Sequence, residues 1–481
     1  MRIMMVSSEA VPFSKSGGLA DVTSSLSIAL AALEHDVRLI LPCYGSTDDS
    51  SFTQLPYLVE IPIGGNLEAV RFKLKKHNGV SVYLVDHRWF TERKGIYGDT
   101  SFAPYADNLL RFTLLSKAAL ALCKELEWIP DIIHCHDWTT GLVPTLAKHD
   151  PAKTFAKTTV VFTIHNLAYQ GDFPRLDLLL SEMPVDTALF SGEGIHRRVN
   201  MLKAGLEGSD LITTVSPTYA KEIQEAQQGC GLQDLLRSKQ SHLFGILNGI
   251  DTDEWDPQTD GLLEDHFSSE DLRGKDILKR KMQSRFKLPV RADIPVIGMI
   301  SRIAEQKGFV ELCQGSPCAL EQILTDLPVQ MLIVGTGDKA IEEKLTTLAE
   351  LHDNLSVNLI FSNEAAHLVE AGSDFFLMPS RYEPCGLNQM YSLRYGTIPI
   401  ARKTGGLADS IVDIAEPEGT GILFDDISGN AIYMAVKRAI DAYKTEDQDI
   451  STIRKRGMGV DFSWINSAED YVKVYQKTHK G

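Results

Sequence analysis

Met1-Arg2-Ile3-Met4-Met5-Val6 leads through a polar segment into Lys15-Ser16-Gly17-Gly18-Leu19-Ala20-Asp21. Near the other end of the chain, Thr404-Gly405-Gly406-Leu407-Ala408-Asp409 repeats the last six letters almost unchanged. A short apolar run, a glycine pair and the start of a helical pattern read as one strand–turn–helix step. Working outward, the same step recurs along the chain. Strands are expected at Ile3–Val6, Val37–Leu41, Ser81–Val85, Asp131–Cys135, Thr159–Ile164 and Leu211–Val215, and again at Val296–Ile300, Gln330–Val334, Val357–Phe361, Phe375–Met378, Ile398–Ile400 and Gly421–Phe424. Apolar runs of this length, separated by helical patterns such as Asn108–Leu126, suit parallel strands buried on both faces. The fold class is therefore α/β, with two doubly wound, Rossmann-like units rather than one very large sheet.

At 481 residues the chain exceeds what one hydrophobic core usually serves. The turn-rich string Asn248-Gly249-Ile250-Asp251 opens a polar stretch reaching about Ala292 and marks the boundary between a domain over 1–250 and one over 251–460. Open α/β sheets bind ligands outside the carboxyl ends of their strands, so two facing units would hold a site in the cleft between them. A formal net charge of −16 argues against nucleic acid or an anionic membrane as the main partner. Seven cysteines without a C-x-x-C pair support neither a disulfide framework nor a zinc ribbon. Met1–Val6 is too short for a signal h-region, and no apolar stretch nears the ~18 residues of a membrane helix, so a cytoplasmic protein is expected.

The glycine pair Gly17-Gly18 would let the backbone approach a ligand closely, with helix N–H donors and Lys15 facing an anion; the plainer reading is a strand-to-helix turn with a surface lysine. Arg302 and Gln306-Lys307-Gly308 follow the strand Val296–Ile300, where fixed cations would stabilise a departing diphosphate more than the ground state; solvated loop cations are the alternative. Glu383-Pro384-Cys385-Gly386-Leu387-Asn388 follows the strand Phe375–Met378, and its carboxylate would either hold sugar hydroxyls or cap a helix. Cys385 reads as a small apolar neighbour, since no base accompanies it. His134-Cys135-His136-Asp137-Trp138 places two histidines on one strand face with the cysteine opposite, a poor metal set; Asp137 and Trp138 suit a polar, sugar-like ligand better. His165, in a polar cluster ending another strand, is structural or functional on this reading. Gly335-Thr336-Gly337-Asp338-Lys339-Ala340 matches the dinucleotide fingerprint, yet the acid expected ~20 residues on is not clearly placed. The nearest, Glu364, comes 27 residues after Gly337.

Taken in order, Lys15–Asp21, His136-Asp137-Trp138, His165-Asn166-Leu167-Ala168-Tyr169-Gln170-Gly171, Asn248–Asp251, Ser301-Arg302, Gln306-Lys307-Gly308, Glu383–Leu387 and Lys403–Leu407 resemble the bacterial glycogen synthase and plant starch synthase family, retaining glucosyltransferases of the GT-B type. The resemblance runs nearly the full length. It implies that Lys15, Gly18, Arg302 and Lys307, with the N–H groups of Gly386 and Leu387, hold the diphosphate, and that Gly17, Cys385 and Asn388 line the same nucleotide-sugar pocket. It implies that Glu383 binds glucose hydroxyls, that His165 lies beside the reacting carbon, and that Asp137, Asn166 and Asn248 line the sugar pocket. Phe361 stands where the family usually stacks an aromatic on the base, and Tyr97 and Trp138 are candidate acceptor contacts. The stretch from Asp461 through Tyr475, within 461–481, resembles a terminal helix that returns to the first domain.

The activity so implied is transfer of glucose from ADP-glucose, the usual donor of this branch, to the non-reducing end of an α-1,4-glucan such as glycogen with retention of configuration; UDP-glucose is the donor alternative. No cofactor and no metal are expected. Two departures stand out: the second acid found in many retaining transferases is replaced by Tyr391, as in the glycogen synthase branch, and Gln227-Gln228-Gly229-Cys230-Gly231 replaces a more usual Pro-Glu-containing loop. The competing readings are a non-catalytic glucan-binding or regulatory homologue and, weaker, an NAD-dependent oxidoreductase.

Overall fold

The alternation of buried β-branched runs and helices yields two mostly parallel sheets. A computed structural model of the chain describes residues 1–99, 103–183, 190–191, 198–444 and 450–477. It divides into one unit of Met1–Val215, Ala220–Ile246 and Trp464–Gly481, and a second of Ser216–Tyr219 and Leu247–Ser463.

In the first unit the strands run, from edge to edge, Leu243–Gly245, Leu211–Thr214, Thr159–Ile164, Ile132–His136, Arg2–Val6, Asp36–Pro42, Val80–Asp86, Asn66–His77 and Thr53–Ile63. All pairs are parallel up to Val80–Asp86; the last two strands add an antiparallel hairpin. The chain leaves Arg2–Val6 toward one edge and returns through Ile132–His136 on its other side, so the direction of winding reverses between these two strands. The helix Gly18–Ala32, rich in Ala and Ser, packs closely because its buried Ser27 hydroxyl returns to the Thr23 carbonyl at 2.6 Å instead of facing apolar neighbours unpaired. The helix Trp464–Tyr475 packs against it and sends Trp464, Tyr471 and Tyr475 into the core of this unit.

In the second unit the order is Leu355–Asn358, Gln330–Val334, Val296–Ile300, Phe375–Met378, Ile398–Arg402 and Ile422–Phe424, all parallel. Winding reverses here between Val296–Ile300 and Phe375–Met378. The strand expected at Val357–Phe361 lies instead at Leu355–Asn358, where Leu355 pairs with Met331 and enters the core; Leu359, Ile360 and Phe361 are exposed. The polar stretch after Asp251 is no loose connection. Trp255 stacks between His367 and Tyr391 at 3.8 and 3.7 Å, and buried Asp260 accepts from Tyr395 Oη at 2.6 Å and pairs with His367 Nδ1 at 2.7 Å. No helix among the described residues is long and apolar enough to cross a membrane.

Candidate active site

Crevices at the carboxyl ends of parallel strands form where winding reverses, because the loops there diverge to opposite faces. In the first unit these loops carry Glu9 to Gly18 and Asp137. Glu9 is buried, with 2% exposure. Its carboxylate accepts from Ser16 N at 2.5 Å, Ser16 Oγ at 2.9 Å, Gly17 N at 3.3 Å and Tyr97 Oη at 2.7 Å. One buried acid thus fixes both the glycine loop and Tyr97, whose hydroxyl also meets Ser8 Oγ at 2.9 Å and whose pKa is raised by burial and by Glu9. Lys15 pairs with Asp21 at 2.7 Å, half exposed. A Cβ added at Gly17 or Gly18 would meet nothing within 4 Å, and Gly17 is extended with φ −160°. The fold of this unit does not itself require either glycine.

Asp137 closes the strand Ile132–His136 with φ +56°, a left-handed conformation costly for a non-glycine residue. Its Oδ1 accepts from His165 N at 2.8 Å. Burial pushes its pKa up to about 7 although the N–H groups of His165 and Asn166 oppose the rise. Burial likewise lowers His165 to about 3. His165 Nε2 lies 3.0 Å from His136 Nδ1. His134 packs on His136 with centroids 4.2 Å apart and rings tilted by 34°, its Nδ1 at 2.8 Å from Tyr475 Oη and Nε2 at 2.5 Å from Thr163 Oγ1, so neither nitrogen is left for a metal. Trp138 packs near Tyr97 and Phe112, with centroids 6.0 and 5.1 Å away. Asn166 accepts from Ala168 N at 3.1 Å, turning the chain beside His165.

In the second unit the reversal gathers Arg302, Lys307, Glu383 and Asn388. Lys307 Nζ donates to Glu383 Oε2 at 2.5 Å, and Ser380 Oγ donates to the same oxygen at 2.9 Å. Arg302 is exposed and makes no ion pair among the described residues. Asn388 Nδ2 reaches across to Ile300 O at 2.7 Å and ties the two loops together. Ser216 Oγ holds Pro384 O at 2.7 Å, and Thr218 Oγ1 donates to Asp409 at 2.6 Å. Burial raises the Cys385 thiol to about 12, which suits an inert neighbour and not a nucleophile. Gly386 adopts φ +71° just before the helix Asn388–Arg394. Asn248 is buried, with Oδ1 unpartnered among the described residues. Phe361 stands 98% exposed beyond its strand.

The glycines of the dinucleotide-like string have another use. A Cβ at Gly335 would lie 1.9 Å from Ser301 O and one at Gly337 2.0 Å from Ile303 O, so both let the chain press on the Arg302 loop. Gly405 and Gly406 do the same for the acid loop, where a Cβ would sit 1.9 Å from Glu383 O and 2.1 Å from Cys385 O. Sequence reasoning missed Glu9 and Ser380; a carboxylate three residues past the carboxyl end of the first strand was the available signal for Glu9. Tyr391 stacks on Trp255, so the position of the absent second acid is taken up by packing.

The family description "Starch synthase catalytic domain" matches residues 2–238, and "Glycosyl transferases group 1" matches residues 280–456. The chain is 42% identical over 480 residues to a glycogen synthase of Treponema denticola, covering 99% of this chain and 98% of that one. It is 43% identical over 484 residues to a glycogen synthase of Myxococcus xanthus, covering 99% of each. Among solved structures, the catalytic domain of starch synthase IV from Arabidopsis thaliana, bound to ADP and acarbose, superposes with a TM-score of 0.89 at 32% identity, covering 100% of this chain and 99% of that chain. Sucrose-phosphate synthase from Thermosynechococcus elongatus, at 17% identity and a TM-score of 0.62, covers 99% of this chain and 98% of that one and shares the fold. With GT-B neighbours and full-length identity of this order, the chain belongs to the glycogen synthase and starch synthase family of glycosyltransferases.

Proposed function

We propose that the protein transfers glucose from ADP-glucose to the non-reducing end of an α-1,4-glucan such as glycogen, with retention of configuration, in the cytoplasm. The observation that carries the reading is the Lys307–Glu383 pair, a cation and a buried carboxylate on one loop system at a strand-order reversal. The full-length likeness to glycogen synthases and to a starch synthase holding ADP supports the donor and the acceptor.

In this reading Arg302, Lys307 and Lys15, with the N–H groups of Gly386 and Leu387, take up the charge that develops on the departing diphosphate. Donors and cations already in place stabilise that charge without reorganising. Gly17 and Gly18 allow close approach of the loop, Phe361 stacks on the base, and Cys385 and Asn388 shape the pocket. Glu383 accepts from glucose hydroxyls, His165 lies beside the reacting carbon, and Asp137, Asn166 and Asn248 line the sugar. Tyr97 and Trp138 contact the glucan. The acceptor 4-hydroxyl attacks C1 on the face the diphosphate leaves, and the leaving phosphate oxygen receives its proton. No metal takes part.

The test is glucosyl incorporation into glycogen from ADP-glucose and from UDP-glucose, each with and without chelator. Faster transfer from ADP-glucose, unchanged by chelator, is expected. Faster transfer from UDP-glucose would replace the donor, loss with chelator would restore a metal role, and no transfer from either would overturn the reaction.

A further inference from the structure

His136 is fully buried, yet only half of its ring is accounted for. Nδ1 lies 3.0 Å from His165 Nε2, whereas Nε2 has no hydrogen-bond partner among the described residues. The neighbouring ring cannot help, because His134 commits one nitrogen to Tyr475 and the other to Thr163. Burial lowers the pKa of both His136 and His165, so the pair is neutral near pH 7 and shares one proton across the 3.0 Å contact.

Two neutral arrangements exist. If His165 Nε2–H donates, His136 must carry its own proton on Nε2, a buried donor facing no acceptor. If His136 Nδ1–H donates, the unmatched atom is a bare lone pair, and His165 carries its proton on Nδ1. Buried donors without partners are rarer in folded proteins than under-used acceptors, so the second arrangement is favoured. His165 Nδ1 itself makes no hydrogen bond among the described residues.

We infer that His136 is a positioning residue that fixes the tautomer of His165, so that His165 presents a ring N–H at Nδ1 and not a basic lone pair. The inference rests on the proposed place of His165 beside the donor sugar and deepens it: His165 donates a hydrogen bond to a sugar oxygen and is not the proton acceptor of the transfer. A neighbour that sets which nitrogen carries the proton is the device that also orients histidines in metal sites.

The tautomer can be read without any activity, by two-dimensional 15N–1H spectra of histidine-labelled protein, with His165→Asn identifying the resonances. The expected result is a protonated Nδ1 and a bare Nε2 at His165. A protonated Nε2, as when a buried water accepts from His136, overturns the inference. His136→Asn keeps an N–H near the Nδ1 position and should retain kcat/KM within about threefold, whereas His136→Leu, which removes the donor, should lose about tenfold or more. Equal activity of the Asn and Leu variants would overturn the positioning role. If His136→Leu fails to fold, the wild-type spectrum still decides. A protonated Nδ1 in a protein that transfers no glucose upholds the tautomer and overturns the reaction, so the two failures are separable.

Discussion

Lys307 Nζ and Glu383 Oε2 lie 2.5 Å apart, and the carboxylate is 5% exposed. Arg381 braces the lysine's loop from behind, bonded to Glu305 and Glu311 through its guanidinium and donating its backbone N–H to Gln306 O at 2.8 Å. The pair is therefore held by its surroundings as well as by mutual attraction. Lys307→Ala removes the charge proposed to face the diphosphate and leaves Glu383 buried with Ser380 as its remaining side-chain donor. Turnover should fall by about 100-fold or more, the scale set by losing one preorganised charge-stabilising group. Steady-state kinetics with ADP-glucose and glycogen check this; near-normal turnover would remove the charge-stabilisation role, and a fully active Glu383→Ala would remove the role of the acid.

Asp137 predicts a pH signature in stability. Its folded pKa of about 7 lies above the ordinary 3.8 because burial penalises the charged form. Between those values the native state holds a proton that the unfolded chain has lost, so stability falls as pH rises. The contribution is fully present below about pH 4, is lost through about pH 7, and is constant above; three pKa units correspond to on the order of 4 kcal/mol. Asp137→Asn keeps an acceptor for His165 N and does not titrate. Denaturant unfolding from pH 4 to pH 8 should show wild type losing stability relative to this variant across that window. A pH-independent difference would mean that Asp137 is ionised throughout.

Much of this was legible in the chain because parallel strands buried on both faces are written as unbroken apolar runs. Val296–Ile300 and Gln330–Val334 fall where the pattern puts them. The hairpin Thr53–Ile63 with Asn66–His77 was not foreseen, since its half-exposed faces mix Lys, Glu and Pro with apolar residues. Its turn signal was present all the same: Gly64 and Gly65 both take positive φ, 67° and 76°, as a two-residue hairpin turn demands. Glu383 and Lys307 could be named from sequence as chemistry-bearing types at strand ends, but their pairing across 76 positions is a product of the sheet order. Glu9 escaped because its place three residues past a strand end marks it only as a candidate; the letters do not distinguish a carboxylate that receives backbone N–H groups from one that faces water. The match at Gly335–Ala340 could be discounted only through its poorly placed acid, because a glycine needed for backbone packing and one needed for a phosphate look the same in a string of letters.

Phe361 is the most exposed large apolar residue among the described ones, at 98%. A ring with no packing of its own contributes little to folding, so Phe361→Ala should change stability by no more than about 0.5 kcal/mol. Stacking of a base on an aromatic is worth about 1–3 kcal/mol, so the KM for ADP-glucose should rise about tenfold or more. Phe361→Tyr keeps the face and should match wild type. An unchanged KM in the alanine variant would remove the base-stacking role.

The two glycine pairs of the repeated string should respond oppositely to the same substitution. At Gly406 a Cβ would lie 2.1 Å from Cys385 O and 2.5 Å from Cys385 Cα, both backbone atoms of the acid loop. Gly406→Ala must displace that loop, and overpacking of this kind costs about 1–3 kcal/mol. Thermal unfolding should therefore shift downward together with turnover. At Gly18 a Cβ meets nothing within 4 Å, and the residue opens the helix Gly18–Ala32, where alanine is the better helix former. Gly18→Ala should leave the unfolding temperature at or above that of wild type. If the open space at Gly18 is where the diphosphate approaches the backbone, the added methyl raises the KM for ADP-glucose by about tenfold. A Gly18→Ala protein with unaltered KM would show that the loop needs no glycine for its ligand, and the close approach assigned to it would have to be given up.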